Sequence, residues 1–510
     1  MLISRFRVSR RMKSTAFCVL ALLAPLAVAQ NLKEFEKKVT EFTLSNGLHF
    51  ILVERHEAPV VSFHTYVKAG SLDDPAGQTG LAHMFEHMAF KGTPWIGTKD
   101  WNQEKKALDE VEEVYAKLEE EKRKDLHADA GKLETLEARL KSAVDKAELY
   151  VEPNAFPRII EENGGVGMNA ATSLESTNYF YNFPSNRIEL WFLLESQRFL
   201  HPVFREFYKE RDVVREERRM RVESNPQGKM LEVMLGTAFL AHPYRVGPGG
   251  WASDIESLRV PEAEQFFKTF YIPGNITVGI VGDVNPAEAK RLAEKYFGPL
   301  PARPLPPVIT TEEPKQEGPK RVEIISPTQP LLFIGYKRPS QYDKDDAVFD
   351  VISTILASGR TGLLYKDMVR DKKLSLVSIC GPTYPAGKYP ALFLFFLAPA
   401  IGRTIEENEK EFYDVLEKFK SQKVDEVTLA RVKTKARAGL LRQLDSNSGL
   451  ASVLTLFYNN FGDWRKLFTS LDDVNKVTAE DVQRVARQYF VDETKTVAVS
   501  IQPKKKGAAK

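Results

Sequence analysis

The sequence predicts an α+β fold of two similar domains, each a mostly antiparallel sheet with helices packed on one face. Three observations carry this. A capped helix leading into a strand occurs twice, from Val260 to Val278 and again from Val477 to Val497. Near the start of each half a strand leads to an apolar helix, Phe63 to Val67 before His83 and Leu332 to Tyr336 before the run Val348 to Ala357. Between the halves, residues 301–319 hold Pro304, Pro306, Pro307 and Pro314 and read as an exposed linker. A chain of 510 residues exceeds what one core supports, so two domains of about 200 residues each suit the length. The expected layout is 30–300, the linker 301–319, and 320–510.

Composition narrows the function classes. The chain is 43% hydrophobic and 28% charged, and 72 basic residues against 69 acidic ones leave a net charge of +3. That balance gives no sign of a nucleic-acid partner. At the N-terminus Arg5, Arg7, Arg10, Arg11 and Lys13 precede an apolar stretch, Ala16 to Leu26, and the small-residue site Ala27-Val28-Ala29. Residues 1–29 therefore read as a secretory signal peptide, and the protein as exported, periplasmic or secreted, with no membrane span after cleavage. Removal of the signal leaves Cys380 alone, which excludes an internal disulfide.

From Val39 to Leu44 and from Leu48 to Val53 the pattern alternates around Asn46-Gly47, the signal of a hairpin with a type I′ turn. Val60 to Val67 follows as a further strand. A loop with Asp73, Asp74, Pro75 and Gly77 then enters a helix bearing His83-Met84-Phe85-Glu86-His87. This is the inverted form of the H-E-x-x-H metallopeptidase motif. On a helix His83 and His87 lie four residues apart and project from one face, so two imidazoles can grip one metal with Glu86 on the same turn. The motif leaves a third ligand to be found.

Residues 99–150 are rich in Glu, Lys, Ala and Leu, with apolar stripes Leu108, Val111, Tyr115, Leu118 and Leu133, Leu136, Leu140, Val144. They read as an inserted, charged helical hairpin. The glycine-rich run Asn163 to Thr172 and the strand-forming run Thr177 to Pro184 follow; a bare strand edge here can take an extended peptide by strand addition. After Pro202 a helix from Glu206 to Arg219 places Glu210 and Glu217 two turns apart on one face. Two such carboxylates can serve as metal ligand and supporting acid, or as an ordinary charged surface.

In this order, the Asn-Gly hairpin, Ala69-Gly70-Ser71, the stretch Gly80 to Thr93, Asn169-Ala170-Ala171-Thr172 and Glu210-Arg211-Asp212-Val213-Val214-Arg215-Glu216-Glu217 resemble the pitrilysin/insulinase (inverzincin) family, which includes the mitochondrial processing peptidases. The resemblance runs from about Val39 to the C-terminus, apart from the insertion. It implies a Zn2+ site with His83, His87 and Glu217 as ligands, Glu86 as general base, Glu210 in a supporting role, and Asn169 and Ala170 at the bound peptide. Glu216, adjacent to Glu217, faces about 100 degrees away on a helix. The interval from His87 to Glu217 exceeds the family's usual gap by about the length of the charged hairpin.

The resemblance also implies a clamshell chamber and zinc-dependent hydrolysis of short or unfolded peptides. One departure stands out: the Arg and Tyr that family members with a complete site carry in the second domain are replaced by Val369 and Leu376, with Arg370 one place off. The expected partner is therefore a homologous chain supplying that pair in a heterodimer, or a second copy in a homodimer. A non-catalytic structural or peptide-binding subunit is the alternative.

Overall fold

The computed structural model describes residues 32–503; the signal-peptide reading of residues 1–29 lies outside them. In chain order the first half runs β1 (Val39–Thr43), β2 (His49–Glu54), β3 (Val60–Val67), α1 (Leu81–Met88), α2 (Trp101–Lys122), α3 (Ala130–Glu148), α4 (Ala155–Glu162), β4 (Val166–Thr172), β5 (Thr177–Pro184), α5 (Ile188–Leu200), α6 (Phe207–Arg218), α7 (Pro226–Ala238), α8 (Ala252–Ser257), α9 (Val260–Phe270), β6 (Ile276–Gly282) and α10 (Pro286–Phe297). The second half runs β7 (Lys320–Ile325), β8 (Leu331–Arg338), α11 (Asp346–Ala357), β9 (Ser375–Tyr384), β10 (Ala391–Pro399), α12 (Ile405–Ser421), α13 (Glu426–Asp445), α14 (Asn447–Phe461), α15 (Lys466–Lys476), α16 (Ala479–Tyr489) and β11 (Lys495–Ile501). π-helical turns follow α6 at Arg219–Glu223 and precede β9 at Tyr365–Asp371.

Two sheets result, ordered β1-β2-β6-β3-β5-β4 and β7-β11-β8-β10-β9. In the first, β2 and β6 are parallel and the other neighbours antiparallel. In the second, β7 and β11 are parallel and the rest antiparallel. From β2 to β4 and from β7 to β9 the strand orders correspond one to one, so the repeat visible in the sequence is a repeat of topology, with β1 added.

Each half's own helices cover one face of its sheet. Phe50, Phe63, Trp191, Phe192 and Phe297 are wholly or almost wholly buried in the first core, and Phe349, Phe393, Phe395 and Phe412 in the second. The second face of each sheet is covered too, by a helix from the other half. On the first sheet α14 lays Leu450, Ala451 and Leu454 against Ile51, Val53 and Val281. On the second, α7 lays Met230, Met234 and Leu235 against Phe333, Leu392 and Ala498. Glycine permits the close approach: a Cβ on Gly279 would meet Ala451 O at 2.8 Å. This reciprocal burial of apolar side chains links the two halves.

Two local expectations change. At Asn46-Gly47 only Gly47 has positive φ (98°), so the turn is not type I′. The Asn46 amide is instead committed to Phe297 O at 2.8 Å and Leu300 O at 3.1 Å, which ties the hairpin to the end of α10. The proline-rich stretch is mostly exposed yet pinned: Glu313 accepts from the backbone N–H of Leu240, Ala241 and His242 at 2.8–3.1 Å and lies 3.4 Å from Lys337 Nζ. Among the described residues no helix is long and apolar enough to cross a membrane.

Candidate metal centre

Helix α1 begins at Gly80, whose φ of 93° a side chain would oppose. Its free N–H groups are taken by Asp74, Oδ2 from Gly80 N and Oδ1 from Ala82 N, both at 2.8 Å. Thr79 adds a bond to Asp254 Oδ2 at 2.8 Å and accepts from Trp251 N at 2.7 Å. The helix start is therefore held from two sides. Leu81, Ala82, Met84, Phe85 and Met88 face the core, which turns His83, Glu86 and His87 toward α6 and β4.

The helix pair α1 and α6 brings His83, His87 and Glu217 together, with one potential ligand atom from each lying within 4.8 Å of the others. His83 Nε2 is 3.4 Å and His87 Nε2 3.9 Å from the Glu217 carboxylate. Glu217 Oε2 is buried without a hydrogen-bond partner, since 3.4 Å exceeds a good charge-assisted bond. Glu217 presents Oε2 to His83 and Oε1 to His87 across these gaps, with Arg221 Nη2 also 3.4 Å from Oε2, and two nitrogens with one carboxylate are a zinc donor set. The His83 imidazole holds the Glu217 carboxyl below its ordinary range; partial burial opposes this and Arg221 assists it. Neighbouring Glu216 instead points to solvent, 50% exposed and bonded to Arg219 at 2.6 and 2.7 Å. The π-helical turn Arg219–Glu223 begins two residues after Glu217, a position where such turns recur at functional sites.

Glu210 accepts from His87 Nδ1 at 3.2 Å and from Lys91 Nζ at 2.5 Å. Burial would raise its carboxyl, but the bonds from His87 and Lys91 prevail and hold it at about 2. Glu86 is half-buried and, among the described residues, makes no ion pair or side-chain hydrogen bond. Asn169 is exposed on β4, its amide oxygen accepting from Ala170 N at 2.9 Å, while Ala170 is buried. All seven residues singled out in the sequence line one open cavity of about 740 Å3. Strand β4 is an edge strand, paired only with β5.

In the second half Val369 lies half-buried in the π-helical turn, and Leu376 is 52% exposed on the edge strand β9. Arg370 is exposed and engages its neighbour Asp371 at 2.6 Å, so it does not take over the place at 369. Sequence reasoning gave no role to Asp74, Lys91 or Arg205. No local rule points to Lys91, because α1 ends at Met88 and Lys91 lies in the loop beyond it.

The match to known families fits this geometry. Residues 49–99 and 146–245 match the model described as insulinase (peptidase family M16), and 257–436 match the peptidase M16 inactive domain. The chain belongs to the peptidase M16, or insulinase, family. The gap in the first match, residues 100–145, falls within the α2–α3 hairpin. Among relatives of this M16 chain, the zinc protease PqqE of Helicobacter pylori is 27% identical over 94% of this chain and 97% of its own. A probable mitochondrial-processing peptidase subunit beta of Arabidopsis thaliana is 22% identical over 91% of this chain and 78% of its own. The crystal structure of a protease from Helicobacter pylori superposes with a TM-score of 0.76 at 25% identity, over 91% of this chain and 99% of that one. A peptidase M16 inactive domain from Pseudomonas fluorescens, at 16% identity, shares the fold with a TM-score of 0.70 over 92% and 98%.

Proposed function

We propose that this M16 chain is an exported, zinc-dependent endopeptidase acting on short or unfolded peptides, and the metal-bearing member of a two-chain enzyme. The observation that carries the reading is the convergence of His83, His87 and Glu217 beside a free Glu86 and an open strand edge. Zn2+ held by those three residues would polarise the scissile carbonyl and lower the pKa of the attacking water toward about 7.

The chain's own residues do the rest. The N–H and C=O groups of β4 not used by β5 pair with an extended peptide and fix the scissile bond over α1. Asn169 and Ala170 lie on that strand and line the cavity, the exposed Asn169 offering a side-chain amide while the Ala170 side chain packs into the core. Glu86 takes the water proton on a carboxylate oxygen and returns it to the leaving amine nitrogen, a role open to it because no other group engages it. Glu210 Oε2 holds the proton of His87 Nδ1, which leaves Nε2 free to face Glu217.

Val369 and Leu376 support a division of labour, in which a homologous chain adds the substrate-gripping Arg and Tyr and closes the chamber. The same two residues favour the second reading, a peptide-binding or structural subunit without turnover. A quenched-peptide assay with bound-metal analysis, with and without the homologous chain, separates them. Glu86→Gln is expected to keep one zinc per chain and lose about 10³-fold in kcat; unchanged turnover would remove Glu86 from the mechanism. Full activity from a homogeneous monomer would overturn the two-chain assignment.

A further inference from the structure

The α2–α3 hairpin is closed at its neck, where Thr98 bridges Val151, Lys99 N donates to Tyr150 O at 2.8 Å and Glu152 N to Gly97 O at 3.0 Å. From its first turn Glu104, fully buried, reaches Arg205 on the segment before α6, itself 1% exposed. Arg205 Nε donates to Glu104 Oε1 at 2.7 Å and Nη2 to Oε2 at 3.2 Å. The other guanidinium hydrogens go to backbone carbonyls of the loop that leaves α1: Ile96 O and Thr93 O at 2.9 Å, and Lys91 O. All five donors are thereby used, a fit no lysine could reproduce. The loop wraps the guanidinium so closely that a Cβ on Gly97 would meet Nη1 at 2.8 Å, and both Gly92 and Gly97 have positive φ.

Lys91 links this clamp to the metal centre. Its carbonyl is held by Arg205, while its ammonium bonds Glu206 at 2.9 Å and Glu210 at 2.5 Å, and Glu210 holds His87. We propose that the helical hairpin acts on the metal site through Glu104 and Arg205, which position the Lys91 loop and through it Glu210 and His87. Arg205 is the pivot: deprived of Glu104, its charge stays buried with only carbonyl partners, and the loop relaxes to admit water. The hairpin is then a working part of the site, and Glu104, Arg205 and Lys91 are positioning residues. The proposal rests on the peptidase reading for its zinc-affinity and activity readouts, and not for amide exchange.

The test compares Glu104→Gln, which keeps shape and removes charge, with Lys91→Met, which cuts the link nearer the metal and leaves the buried pair intact. Asp109→Asn, breaking an exposed pair with Lys105 on the same helix, serves as control. In metal-free protein, Glu104→Gln is expected to speed amide exchange of residues 89–97 at least tenfold, with the strands of the first sheet unchanged. By chelator competition both variants should bind zinc about 10- to 100-fold more weakly, the usual effect of losing support behind a ligand. In peptide hydrolysis kcat should fall while KM stays within about twofold, and the control should match wild type. Wild-type exchange and zinc affinity in Glu104→Gln would overturn the proposal, as would a lowered melting temperature with zinc affinity and kcat intact. Should Glu104→Gln fail to fold, Lys91→Met decides: unchanged zinc affinity there sinks the linkage. If wild-type protein binds no zinc, the peptidase reading fails, while the exchange result still decides the clamp.

Discussion

Helices α1 and α11 stand at the same place in two sheets of the same order, each following a central strand, β3 or β8, in its half. Helix α11 buries Val348, Phe349, Val351, Ile352, Ile355 and Leu356 in the second core and leaves Asp350 exposed on its outer face. Helix α1 turns one flank to the core and leaves His83, Glu86 and His87 on the other, opposite Glu210 and Glu217 of α6. The partner helices differ in the same way, for α13 offers α11 the apolar Leu429 and Val432. The scaffold therefore does not require the polar cluster. Glu217 Oε2, buried without a hydrogen-bond partner at the cluster, is a cost of the kind proteins carry where function demands it.

The contrast can be broken most directly by equal treatment of both helix pairs in metal-free protein. Phe349→Ala, at a fully buried position, is expected to cost about 3–5 kcal/mol in urea unfolding. Glu217→Gln should change stability by less than about 1 kcal/mol while abolishing tight metal binding. Equal losses would show that the cluster is part of the stabilising core.

A smaller effect separates the crossed-helix contacts from the two cores. His64 on β3 lies under α14, hydrogen-bonded to Thr455 at 2.9 Å, and burial pushes its pKa down to about 4. A depressed histidine contributes stability that is present above its unfolded value of 6.5 and lost as pH falls through the folded value. Between pH 6.5 and 4 this amounts to roughly 3 kcal/mol. Acid unfolding followed by tryptophan emission should show that slope, and His64→Gln should reduce it; an unaltered slope would place the acid sensitivity elsewhere.

The smallest effect is expected at Arg370. Exposed and engaged only with Asp371, it should tolerate Arg370→Ala with less than about 0.5 kcal/mol of stability lost and no change in KM. A marked rise in KM would show that Arg370 does reach the substrate and that the second half keeps a gripping residue.

Much of the molecule was legible because its signals are local. The alternating strands, the His83-x-x-Glu86-His87 spacing on one helical turn, and the charged periodicity of α2 and α3 each depend on residues within a few positions of one another. The duplicated domain was legible because it recurs in the order of elements. Glu217 was reachable by resemblance, since no local rule joins it to His83 across the hairpin. Local reasoning failed at Asn46, where the type I′ expectation gave way to distant acceptors at Phe297 and Leu300.

What the sequence determined by itself is therefore the set of elements and the spacing that puts His83, Glu86 and His87 on one helix, because period, turn chemistry and motif spacing act over short stretches of chain. Only the tertiary structure decided that α7 and α14 exchange halves, that Glu313 pins the linker, and that Glu104 of the hairpin reaches Arg205 beneath the Lys91 loop. Each is a contact between residues far apart in sequence. Such contacts are fixed by which buried charge needs a partner and which apolar face needs cover, and neither is settled until the whole chain has packed.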